Sequence, residues 1–171
     1  MKTYRFIILR MLLPACLGLS VAQSAVCEEN ERVIRSYLDH PNAQFYLPIQ
    51  GFKNVLVDGE TIGFQLRLRS GYYRGVYLTL LENFEVTVDG ETFTRDQISF
   101  SINGMTYSID ELADETEARW QWTDSAVLTV LKQGGLKPGM HKVEVIEEVR
   151  ISYMPTIPST MRFRRTIPLV D

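Results

Sequence analysis

The chain has 171 residues, 45% of them hydrophobic, with 18 basic and 21 acidic side chains and a formal charge of −3. That length suits one ordinary domain with its own core. The balance excludes a typical nucleic-acid binder, which takes most of its affinity from a basic face, and the chain lacks the polybasic cluster of a peripheral membrane protein.

Residues 1–25 read as a signal peptide. Lys2, Arg5 and Arg10 form a basic n-region, residues 11–22 an apolar h-region, and Ser20-Val21-Ala22 or Ala22-Gln23-Ser24 a cleavage site of small residues. Arg10, Pro14 and Gly18 interrupt the ~20 apolar residues that a membrane anchor would need. Leu13-Pro14-Ala15-Cys16 faintly resembles a lipoprotein site, but Pro14 fits it poorly, so periplasmic or secreted export is the expectation. Losing three leader cations leaves 15 basic against 21 acidic residues, a mature charge near −6. Cys16 leaves as well, and Cys27 then has no intramolecular partner.

Residues 26–46 are expected to form a helical extension. Val33, Ile34, Tyr37 and Leu38 recur at helical spacing among charged residues, and Pro41 ends the pattern. From 47 to 171 the chain reads as strand after strand. Ile62, Phe64, Leu66 and Leu68 alternate with Gln65, Arg67 and Arg69, a strand with one buried and one wet face. It runs into Gly71-Tyr72-Tyr73-Arg74-Gly75. Tyrosine and arginine combine a broad flat surface with a directional donor and so anchor recognition surfaces, although a strand-to-strand turn with half-buried tyrosines would read the same way.

Asp58-Gly59, Asp89-Gly90 and Asn103-Gly104 are hairpin signals, each flanked by alternating apolar residues. Val-Asp-Gly-Glu-Thr occurs at both 57–61 and 88–92, and shared turn chemistry explains it better than a repeat. Ser108 and Glu111 form a capping box that predicts one or two helical turns crossing between sheets. Trp120 and Trp122, two apart, are expected on one strand face. A strand from 126 to 131, a wide turn at 134–139 and a long last strand from about 140 to 154 follow. Pro155, Pro158 and Pro168 make the tail extended and unfit for a central strand. The fold class predicted is an all-β antiparallel sandwich with a short N-terminal helix and one minor crossover helix.

The catalytic inventory is thin. His40 and His141 are the only histidines, and no HExxH, CxxC, GxSxG or phosphate-loop spacing exists. Asp110, Glu111, Asp114, Glu115 and Glu117 do not follow the order of a calcium loop and read as a solvated face. Glu147 is sharper, because it falls on the strand face of Val143, Val145, Val149, Ile151 and Tyr153. A carboxylate there is costly unless paired. Either a β-bulge near Glu147-Glu148 turns it outward, or an arginine holds it at a functional edge. Trp120 and Trp122 side by side would suit stacking on a sugar ring, or else the core.

Six segments, in order, resemble one family: Gly51-Phe52-Lys53-Asn54-Val55, Gly63-Phe64, Tyr72-Tyr73-Arg74-Gly75, Val86-Thr87-Val88-Asp89-Gly90-Glu91, Gly134-Gly135-Leu136-Lys137-Pro138-Gly139 and Arg150-Ile151-Ser152-Tyr153-Met154-Pro155. Over residues 51 to about 155 the chain resembles the β subunit of bacterial C-glycoside deglycosidases. The resemblance implies a small, non-catalytic β-sandwich subunit paired with an α subunit of isomerase-like barrel fold. The pair would split the carbon–carbon bond of 3-oxo-C-glycosides. It implies a divalent, manganese-like metal in the partner and none in this chain. Tyr72, Tyr73 and Arg74 would then contact the partner or the substrate entrance, with Arg119, Tyr153 and Met154 nearby. The leader, the helical extension, and Tyr77 where the family often has proline are departures from it. The other reading is a stand-alone exported carbohydrate-binding or scaffolding sandwich.

Overall fold

The computed structural model describes residues 42–151 and 153–169, with the backbone alone at 154–158. The expected leader, Cys27, His40 and the 28–40 helix lie outside the described residues. The described chain opens with a single helical turn, α1 (Ala43–Tyr46). Its Tyr46 ring stacks on Phe163 at 4.8 Å, and Arg165 donates to the Leu47 carbonyl at 2.6 Å.

Eleven strands are described: β1 (Lys53–Val57), β2 (Glu60–Arg69), β3 (Val76–Tyr77), β4 (Leu81–Val88), β5 (Glu91–Phe93), β6 (Ile98–Ile102), β7 (Met105–Ser108), β8 (Arg119–Trp120), β9 (Ser125–Leu131), β10 (Gly139–Ile151) and β11 (Met154–Leu169). They form a five-stranded sheet, β1-β2-β9-β6-β7, a four-stranded sheet, β11-β10-β4-β5, and the small pair β3-β8. Every pairing is antiparallel. The inner faces of the two large sheets meet in one core. Phe84 of β4 stacks on Phe100 of β6 at 5.5 Å, and Phe64 of β2 meets Phe93 of β5 edge-on at 5.4 Å. This is the all-β antiparallel sandwich that the alternation implied.

Alternation decides which side chains enter that core. In β2, Phe64, Leu66 and Leu68 are buried, while Gln65 and Arg69 are half-buried and Arg67 is exposed. All three Asx-Gly hairpins have positive φ at both central residues: 51° and 84° at Asp58-Gly59, 51° and 91° at Asp89-Gly90, 52° and 83° at Asn103-Gly104. Such turns match the twist of the strands they join, and both copies of the Val-Asp-Gly-Glu-Thr segment serve this purpose.

One expectation is met between the sheets, and two need correction. Between the sheets the capping box forms, with Ser108 N–H donating to Glu111 at 2.7 Å and Glu111 N–H to Ser108 at 3.3 Å, and it starts one helical turn, of 3-10 type (Glu111–Asp114), as expected. The strand expected from 140 to 154 is not the last. It ends at Ile151, and the proline-bearing tail returns as β11, paired with β10 from Gly139↔Leu169 to Ile151↔Met154. β11 is an edge strand, the position where a strand tolerates proline. Trp120 and Trp122 do not share a face, because β8 ends at Trp120. Trp120 is fully buried against Phe84 and Phe100, whereas Trp122 is 50% exposed. Among the described residues no helix is long and apolar enough to cross a membrane.

Candidate functional site

The site is built where β2 leaves the core. Ser70, the next residue, is buried and donates its hydroxyl to Glu147 Oε1 at 3.2 Å. Gly71 N–H donates to Glu147 Oε2 at 3.1 Å, and Tyr72 N–H donates to Ser70 Oγ at 3.2 Å. A carboxylate on β10 thus fixes the first three residues of the loop. Gly71 is required by space: a Cβ there would collide with Met161 and Phe163 of β11.

Glu147 is 0% exposed and faces the core, in register with Phe84 of β4 and Met161 of β11. It is a buried carboxylate, but neither the outward turn nor the arginine partner is seen among the described residues. Register shifts do occur nearby, at Glu148/Val149 and Val149/Ile151, but they fall after Glu147 and leave it pointing inward. Its described partners are a hydroxyl and a backbone amide, not an arginine. Burial pushes its pKa up to about 7, only partly offset by the two hydrogen bonds.

From this anchor the chain presents Tyr72, Tyr73 and Arg74. Their neighbours come from two other segments: β8 brings Arg119, and the turn after β10 brings Tyr153. Tyr72, Arg74, Arg119 and Tyr153 line one groove of ≈290 Å³, whose floor is formed by Val76 and Val149. Tyr72 donates its hydroxyl to that of Tyr153 at 3.4 Å. This bond, with some burial, raises the Tyr72 pKa to about 12, so the phenol stays a neutral donor at physiological pH. Tyr73 stands at the rim, 63% exposed, with its ring 5.0 Å from Tyr72 and the Arg74 guanidinium 5.1 Å from its centroid. Arg119 lies over Tyr77 at 4.3 Å and donates to the Gly75 carbonyl at 3.3 Å. The Met154 side chain lies outside the described residues.

Ser70, Gly71 and Tyr77 were not among the residues singled out as site residues from sequence. Ser70 carries no motif, Gly71 reads from sequence only as a flank of the Tyr-Tyr-Arg segment, and the approach of β10 and β11 gives both their role. His141 has no place in the groove: Nδ1 meets Asp89 at 2.7 Å and Nε2 the Lys137 carbonyl at 2.8 Å, bracing the turn before β10. Of the acidic cluster, Glu111 is held by Ser108, and Glu115 accepts from the Glu117 and Ala118 amides; both are thereby held below the usual carboxylate range. Asp110 pairs with Arg95. Among the described residues no group of three or more His, Cys, Asp or Glu is arranged to hold a metal ion.

The fold is a β-sandwich that carries one groove lined by aromatic and cationic side chains. Residues 44–153 match the family model described as C-glycoside deglycosidase beta subunit, a span that includes every groove residue. The C-glycoside deglycosidase beta subunit of Eubacterium cellulosolvens is 38% identical over 108 residues, covering 63% of this chain and 74% of that protein. The 3'-dehydrocarminate deglycosidase beta subunit of a Microbacterium is 30% identical over 105 residues, covering 61% and 78%. A C-glycoside deglycosidase beta subunit of Arthrobacter globiformis is 29% identical over 97 residues, covering 56% and 74%. The chain belongs to the C-glycoside deglycosidase beta subunit family.

Proposed function

We propose that this chain is an exported, non-catalytic subunit that docks through the Tyr72–Arg74 loop, Arg119 and Tyr153 on a metal-dependent barrel subunit. There it closes the entrance to the site where a 3-oxo-glycoside is cleaved. The observation that carries this reading is the convergence of three distant segments on one exposed groove, rich in the residue types that dominate interfaces. By family resemblance the divalent, manganese-like ion belongs to the partner, and no step is routed through this chain.

In this role the tyrosines supply area and hydrogen-bond donors, the arginines supply charge, and the docked loop keeps water from the reacting sugar. Co-expression with an isomerase-like barrel protein encoded beside it, followed by size-exclusion chromatography, tests the reading. Co-elution is expected, and separate elution of both chains overturns it. Export is tested by the mass of the protein recovered from the periplasm, which should lack about 25 residues, consistent with a signal-peptide cleavage. The reading as a free carbohydrate-binding module retains one supporting observation, the exposed Trp122, because Trp120 is buried. Binding of the lone chain on a glycan array, lost in Trp122→Ala, would favour that reading.

A further inference from the structure

Among the described residues three guanidiniums line the groove, from Arg74, Arg119 and Arg150, and no carboxylate does, although the chain as a whole is acidic. Arg150 is already neutralised by Glu82 at 3.5 Å and donates to the Thr79 carbonyl. Arg74 and Arg119 have no carboxylate partner among the described residues, and each lies over a tyrosine ring instead. Elsewhere on the surface several charges are paired: Arg95 with Asp110, Lys132 with Glu91, and Arg162 and Arg164 with Glu144.

A guanidinium laid on a ring has lost much of its rotamer freedom before any ligand arrives. It still has donors to spare, five per arginine, of which Arg119 uses one on Gly75. The rings beneath are exposed, Tyr73 by 63% and Tyr77 by 41%, and Tyr153 on the far rim by 63%. Two pre-set cations with apolar walls form a receptor for a carboxylate on a side chain with some bulk.

We propose that the groove receives a carboxylate-bearing segment of the partner subunit, with Arg74 and Arg119 as the two cationic contacts, Tyr77 as a wall and Tyr73 at the rim. This rests on the subunit reading above and adds the chemistry of the docking segment: an Asp or Glu side chain with an apolar neighbour. A protein segment is favoured over a small anion because Tyr73, Tyr77 and Tyr153 stay exposed by 63%, 41% and 63%, the kind of aromatic surface that protein interfaces bury.

The test is the affinity of the full chain for its co-expressed barrel subunit, measured by calorimetry across a salt series. Affinity is expected to fall as salt rises, because exposed charge pairs are screened. Arg74→Ala and Arg119→Ala should each weaken it on the order of thirty-fold and flatten the salt dependence, the loss expected at an interface hot spot. Arg95→Ala, at the remote Asp110 pair, is the control and should change nothing. Circular dichroism of each variant separates loss of contact from loss of fold. Unchanged affinity in both variants, with a flat salt dependence, overturns the carboxylate proposal and leaves the subunit reading standing. Intact association with a raised KM for an anionic substrate also overturns it, and assigns the cations to the small molecule. If the unsubstituted chains do not associate at any salt, the subunit reading and this proposal both fall.

Discussion

Ser70 donates its hydroxyl to Glu147 across 3.2 Å, joining positions 77 residues apart at a point where neither side chain reaches solvent. The Tyr72–Arg74 loop starts from that contact, so a buried carboxylate sets where an exposed recognition loop begins.

Its cost depends on pH. The folded Glu147 carboxyl titrates near 7, against 4.5 when free. The fold therefore binds the proton more tightly, and the stability that Glu147 contributes is fully present below about pH 4.5, lost as pH rises toward 7 and absent above it. The difference is about 3 kcal/mol at most. Glu147→Gln should remove this slope. Thermal melts from about pH 5 to 8 should fall in the parent and stay flatter in the variant. Parallel curves would mean that Glu147 does not titrate there.

Gly71→Ala should act on both fold and loop. The added methyl meets Met161 and Phe163, and overpacking of this kind costs about 1–3 kcal/mol. The melting temperature should drop, and co-elution with the barrel subunit should be lost even below the melt, because the loop must shift to make room. An unchanged melt would show that β11 yields instead.

The double variant Tyr73→Ala, Arg74→Ala should leave stability within about 0.5 kcal/mol of the parent, since both side chains are exposed and the anchoring bonds fall at Ser70, Gly71 and Tyr72. Partner binding should disappear. Loss of fold together with binding would make the loop structural.

The two tryptophans should separate cleanly. Trp120→Ala removes a fully buried ring that also donates to the Asp124 carbonyl at 3.2 Å, and should cost about 3–5 kcal/mol. Trp122→Ala should be nearly neutral. Acrylamide should quench fluorescence in Trp120→Phe, where Trp122 remains, and barely touch it in Trp122→Phe. Equal quenching would contradict the burial of Trp120.

Much of the fold was legible locally. The β2 alternation named its own buried face, and each Asx-Gly pair named a hairpin, because both signals are set by steric preferences within a few residues. The return of the tail as β11 was not legible, since proline argues against a strand in general and edge position is known only once neighbours are placed. Trp122 was misassigned for a similar reason: period two holds only while the strand lasts, and β8 stops at Trp120.

The candidate site divides in the same way. The sequence by itself determined that Tyr72, Tyr73 and Arg74 would sit on a glycine-flanked loop after a half-buried strand, and that Glu147 would sit on an apolar face. Only the tertiary structure decided that Arg119 and Tyr153 share a groove with that loop, and that Ser70 and Gly71 satisfy the buried carboxylate. Strand periodicity is a property of neighbours along the chain. A groove and a buried hydrogen bond join residues tens of positions apart, and their partners are fixed only when the two sheets close on one core.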